Sequence, residues 1–131
     1  MKTILVIDDN RLDRMIHRRW LEGAGDFCVL EAESADEGMA LARATRVDCV
    51  IVDYMMLREN GLTAIRQMTA ELPDCPPLLM VSCALTDDMR RNALALGASA
   101  CFDKPVFNGS ALVDAVRAAI ADHPANKDAG Q

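Results

Sequence analysis

Residues 4–10 read Ile-Leu-Val-Ile-Asp-Asp-Asn, four aliphatic side chains closed by a pair of acids. The same grammar returns at residues 49–53, Cys-Val-Ile-Val-Asp. Such runs read as strands of a parallel sheet, buried on both faces. If both lie in one sheet, Asp8, Asp9 and Asp53 meet at a single edge. Ionised carboxylates packed together repel, so this edge wants a cation or a raised pKa. Hard oxygen donors suit Mg2+, which keeps several waters and often shares its shell with phosphate. Ser82, at the end of Leu78–Val81, and Lys104, after a further run, complete a set suited to receiving a phosphoryl group.

Outward from these runs, apolar stretches alternate with helical spacing. Thr3–Ile7, Phe27–Glu31, Val47–Val52, Leu78–Val81 and Ala100–Phe102 read as strands. Helices are predicted over Arg11–Leu21, from the Ser34/Glu37 capping box to Ala44, after Asn60-Gly61, after Thr86, and from Gly109 to Ala121. In the first helix Leu12, Ile16 and Trp20, with Met15 beside them, form the expected core face. Leu62, Ile65, Met68 and Leu72 do so in the third, and Leu112, Val113, Val116 and Ile120 in the fifth. This alternation predicts an α/β fold, a parallel sheet with helices on both faces. Runs two and five are shorter or more mixed, as edge strands are. The expected fold is therefore a flavodoxin-like (βα)5 doubly wound sheet of order 2-1-3-4-5. Ligands of such sheets bind at the carboxyl ends of the strands, at the switch between strands one and three, where the acids lie. Residues 1–121 are expected to form one domain and 122–131 a flexible polar tail or linker stub.

At 131 residues and 51% hydrophobic content, the chain suits a single globular domain. Its net charge of −6 argues against nucleic acid or an anionic membrane as a direct partner. No leader pattern and no apolar run near the roughly 20 residues of a membrane span is present, so a cytoplasmic location is expected. The five cysteines, odd in number and without CxxC spacing, read as reduced, Cys28, Cys49 and Cys101 as small strand hydrophobes and Cys83 as the thiol to test for reactivity. His17 is expected to be a partly exposed helix residue, and His123 an inert tail residue.

Taken in order, "ILVIDDN", "IVDYMMLRENGL", "LLMVSCA" and "LGASACFDKPVF" resemble the receiver domain of two-component response regulators, over about residues 2–121. The resemblance implies that Asp53 is the phosphoacceptor, attacking the phosphohistidine of a histidine kinase or histidine phosphotransfer protein. It implies Mg2+ bound by Asp9, Asp53 and the backbone carbonyl of Met55, with Asp8 acting through water. Ser82 and Lys104 would each contact a phosphoryl oxygen, and Pro105 would follow Lys104 through a cis bond. A downstream protein target is implied, and no enzymatic activity beyond the domain's own phosphorylation and slow dephosphorylation.

Three positions depart from the family pattern. Cys101 stands where an aromatic usually partners the Ser82-type hydroxyl in the switch, and Phe102 next to it points to the opposite face. The conformational change is therefore expected mainly in the loop Ser82–Thr86. Leu57 stands where Pro is usual, and Cys83 where a smaller residue is. Met55 and Ala84 flank the acceptor and cannot orient an attacking water, so a long-lived phosphoryl group is expected. The alternative reading is a phosphorylation-independent receiver acting as an interaction module. An enzyme of the same topology fits poorly: the acid pair would repel a flavin phosphate, and Asp53 lacks the second acid two residues on that a haloacid-dehalogenase-type phosphatase needs.

Overall fold

The computed structural model describes residues 1–104 and 109–124. Strands and helices alternate along them: β1 (Lys2–Ile7), α1 (Arg11–Gly23), β2 (Phe27–Ala32), α2 (Ala35–Ala44), β3 (Cys49–Asp53), α3 (Gly61–Glu71), β4 (Leu78–Ser82), α4 (Asp87–Leu96), β5 (Ala100–Asp103) and α5 (Ser110–Asp122). The strands pair in parallel in the order β2-β1-β3-β4-β5. Every residue of β3 and β4 is buried, whereas β2 and β5 carry exposed positions, in line with the edge-strand reading.

Alternate strand residues feed two cores. Leu5, Ile7, Val50, Val52, Leu78 and Met80 pack with Met39 of α2, Ile65 and Met68 of α3, and Ala93 of α4. Ile4, Val6, Ile51, Leu79 and Val81 pack with Leu21 of α1 and with Leu112, Val116 and Ile120 of α5. Each fully buried Leu or Ile contributes about 1.5–3 kcal/mol, so these two layers hold the sheet as the platform for its carboxyl edge. Phe102 and Cys101 fall in opposite layers, as strand alternation requires.

Local signals set the helix boundaries. The side chains of Asn10, Ser34, Asn60 and Thr86 accept backbone N–H groups in the first turns of α1, α2, α3 and α4. Gly97 ends α4 at φ +118, a left-handed conformation in which a Cβ would also sit 2.5 Å from Thr69 Cγ2.

Helix α1 corrects the periodicity reading. Leu12 and Met15 are 58% and 46% exposed, and the buried residues are Arg14, His17 and Leu21. The cause is electrostatic. Arg14 Nη1 donates to the Asp8 carbonyl at 2.6 Å, and its Nε pairs with Glu31 at 3.2 Å. A guanidinium satisfied in this way takes an inward position and leaves Leu12 and Met15 outside, while Ile16 stays half-buried and Trp20, also half-buried, packs against the second core. His17 is buried rather than partly exposed, beside Trp20, with its Nδ1 lacking a hydrogen-bond partner among the described residues. His123 Nε2 lies 3.0 Å from the Cys75 carbonyl, a docked position rather than a free one. Cys28 is exposed on the edge strand, while Cys49 and Cys101 are buried. Strand β3 starts at Cys49, two residues later than the apolar run, and the preceding Asp48 accepts the Thr3 N–H on its carboxylate at 2.8 Å. Pro105 and most of the predicted tail lie outside the described residues.

Candidate functional site

The parallel register carries Asp8, Asp53 and Ser82 to the same edge. β1 ends at Ile7 beside Val52, Asp53 pairs with Val81, and Ser82 pairs with Asp103. Backbone bonds extend the ladder one residue past β1, β3 and β5: Asp8 N–H to Ala32 O at 3.0 Å, Tyr54 N–H to Val81 O at 2.9 Å, and Lys104 N–H to Ser82 O at 2.8 Å. The side chains that follow the strands are thus fixed by the sheet rather than by mobile loops. Gly61 opens α3 against this edge: a Cβ there would lie 2.7 Å from the Asp53 carbonyl.

Carboxylate oxygens of Asp8, Asp9 and Asp53 lie within 4.8 Å of one another. Asp8 and Asp53 are buried, Asp9 half-buried. Burial, with the neighbouring Asp8 charge, pushes the Asp53 carboxyl up to about 6, against the opposing pull of Lys104. Lys104 Nζ lies 2.8 Å from Asp8, 2.7 Å from Asp13 and 3.4 Å from Asp53. Burial alone would lower the lysine's pKa, but the hydrogen bonds it donates to Asp13 and Asp8 outweigh it, so the ammonium is held above its ordinary value. One lysine among four aspartates, with the nearby Arg14 paired to Glu31, leaves the site net negative. Three hard oxygen donors within reach of one ion, with an unbalanced charge, fit a divalent cation such as Mg2+.

Several hydrogen bonds orient the acids. The Asn10 N–H donates to Asp8 Oδ1 at 2.9 Å. The Leu57 N–H donates to Asp9 Oδ2 at 2.5 Å, a contact that a proline at this place could not make. Leu57's own side chain is 95% exposed.

Asp8, Asp9, Asp53 and Lys104 therefore come together as the sequence predicts. Ser82 is buried at the end of the next strand, its hydroxyl accepting the Ala84 N–H at 3.2 Å. Met55 lies two residues past Asp53, bridged to Asn60, with an exposed side chain. Cys101 sits in register with Met80 under α4, and Arg90 Nη1 donates to its carbonyl at 2.8 Å. Burial pushes its thiol pKa up, with Arg90 opposing. Periodicity did not single out Asp13 and Arg14. Their signal was position: the first turn of a helix that opens directly after the acid pair faces the same edge. A groove of about 920 Å3 lies at the other end of the sheet, lined by Arg46, Val47, Asp48, Cys75 and Pro77. None of the four acids lines it.

Order β2-β1-β3-β4-β5, helices on both faces and an acidic carboxyl edge define a flavodoxin-like domain. Within that class the chain belongs to the response regulator receiver domain family, which it matches over residues 4–117. It is 30% identical over 125 residues to the transcriptional regulatory protein LiaR of Bacillus subtilis, covering 95% of this chain and 58% of that protein. It thus spans little more than half the length of that relative. A response regulator receiver domain protein from Methanospirillum hungatei superposes with a TM-score of 0.84 at 23% identity, over 94% of this chain and 96% of that one. A response regulator protein from Burkholderia pseudomallei, solved with a phosphorylated aspartic acid, a calcium ion and citrate, superposes with a TM-score of 0.80 at 26% identity, over 100% of this chain and 75% of that one.

Proposed function

We propose that this receiver domain takes a phosphoryl group onto Asp53 from a phosphohistidine of a histidine kinase or phosphotransfer protein, and switches protein contacts in response. The main support is the juxtaposition of Asp53 with Lys104 at 3.4 Å inside the Asp8, Asp9, Asp53 cluster. The Burkholderia pseudomallei relative, with its phosphorylated aspartate and divalent cation, supports the same reading.

In the proposed step an Asp53 carboxylate oxygen attacks phosphorus. The O–P bond forms, the N–P bond breaks, and its electron pair stays on the donor imidazole. In the metal-free domain burial and the Asp8 charge raise the Asp53 carboxyl to about 6, which leaves it mostly ionised at neutral pH. Mg2+ held by Asp9, Asp53 and the Met55 carbonyl, with Asp8 through water, would supply charge neutralisation at the phosphoryl oxygens. Lys104 contributes a charge-assisted hydrogen bond to one of those oxygens and Ser82 its hydroxyl to another. Met55 and Ala84 offer no group to orient a hydrolytic water, so the acyl phosphate is long-lived. The domain acts as a phosphoacceptor, not as a turnover enzyme.

A protein partner is supported by the rim of the site. Leu12 and Met15 of α1, and Met55 and Leu57 after β3, are exposed apolar side chains around charged acids. The acidic charge of the domain favours protein over nucleic acid as its direct contact. None of the five cysteines is disulfide-bonded, in keeping with a cytoplasmic location. Cys101 favours a second reading, an interaction module without a phosphorylation switch, since the buried thiol cannot swing as a ring does. Intact-mass analysis after incubation with acetyl phosphate and Mg2+ tests both. The proposed function expects one added phosphoryl group, lost in Asp53→Asn; no uptake by the unsubstituted chain favours the second reading.

A further inference from the structure

We propose that Asp13 is a positioning residue for Lys104, holding its ammonium on the α1 side of the site and away from full engagement with Asp53. This rests on the proposed roles of Asp53 and Lys104. The lysine has three N–H donors. Its shortest contact is Asp13 at 2.7 Å, followed by Asp8 at 2.8 Å, with Asp53 at 3.4 Å. Asp13 stands outside the three acids that can share a metal ion. It therefore keeps its grip on Lys104 when a cation takes the other carboxylates.

The placement is built into the helix start. Asn10 caps α1 by accepting the Asp13 N–H at 3.0 Å, which fixes the backbone of Asp13 at the carboxyl edge of the sheet. The Lys104 N–H is tied to Ser82 O at 2.8 Å, which fixes the other end. Two anchored backbones thus bring side chains 91 residues apart into an ion pair whose lysine side chain is only 8% exposed. Without Asp13, the freed donor turns to Asp8 and Asp53, the carboxylates a divalent cation needs. Lysine and metal then compete for the same oxygens.

Calorimetric titration of the full chain with Mg2+ tests this through a double-mutant cycle. Asp13→Ala is expected to weaken Mg2+ binding about three- to ten-fold, and Asp13→Glu to restore most of the loss. In a Lys104→Ala background the same Asp13→Ala change is expected to matter less than about two-fold. An equal loss in both backgrounds would reduce Asp13 to a remote charge and overturn the proposal. So would an unchanged affinity in Asp13→Ala alone. The nitrogen signal of the Lys104 ammonium gives a second readout that needs no Lys104 variant: Asp13→Ala shifts it and Asp13→Glu does not, and an unmoved signal in Asp13→Ala overturns the role. Acetyl phosphate labelling of the same preparations separates the two levels. An unsubstituted chain that labels on Asp53, with Mg2+ affinity indifferent to Asp13, overturns only the positioning role. A chain that neither labels nor takes up Mg2+ overturns the phosphoacceptor reading beneath it.

Discussion

At the tip of β3 the Asp53 carboxyl keeps its proton up to about pH 6, above its ordinary 3.8. The folded state therefore binds that proton more tightly than the unfolded chain. Stability from this group is fully present below about pH 4 and is lost as pH rises through about 6. Asp53→Asn removes the cost, so the metal-free variant is expected to gain roughly 1–2 kcal/mol at pH 7 and nothing at pH 4, read from urea midpoints. His17 runs the other way. Burial, with Lys104 adding, lowers its pKa below 6.5. The unfolded chain takes up that proton first, so stability falls as pH drops below about 6.5. His17→Leu removes an unpartnered buried nitrogen and is expected to stabilise by about 1 kcal/mol, and to flatten the loss between pH 7 and pH 5.

Helix α1 shows where sequence patterning stops being sufficient. Leu12, Ile16 and Trp20 keep perfect helical spacing, yet Leu12 is exposed, Ile16 and Trp20 are only half-buried, and the fully buried residues are Arg14, His17 and Leu21. Apolar periodicity counts side chains and does not see that the Asp8 carbonyl and Glu31 await a guanidinium. The strands were legible for the opposite reason: β1, β3 and β4 are buried on both faces and need no partner to declare them. The acids were legible because each closes such a run. Asp13 was not, since the lysine that gives it meaning is far away in the chain. The two faces of α1 give a direct check. Leu12→Gln and Met15→Gln are expected to shift stability by less than about 0.5 kcal/mol, whereas Leu21→Ala costs about 2–5 kcal/mol in the same urea titrations.

Across the whole molecule, folding and the site are linked through charge. The sheet forces three carboxylates together, and a cation that bound only the folded state would offset the repulsion. Mg2+ at ten times its dissociation constant is expected to raise unfolding stability by about 1.4 kcal/mol, seen as a higher melting temperature that chelation reverses. Asp9→Asn should abolish most of that increment. Among the described residues no helix is long and apolar enough to cross a membrane. The Leu57 N–H, tied to Asp9 while its side chain stands almost wholly in solvent, gives this linkage a natural reporter. An amide on an outward loop ordinarily trades its hydrogen for deuterium at once. This one should trade slowly, and its rate should change as ions load the neighbouring acid, turning a single backbone position into a gauge of occupancy for the whole edge.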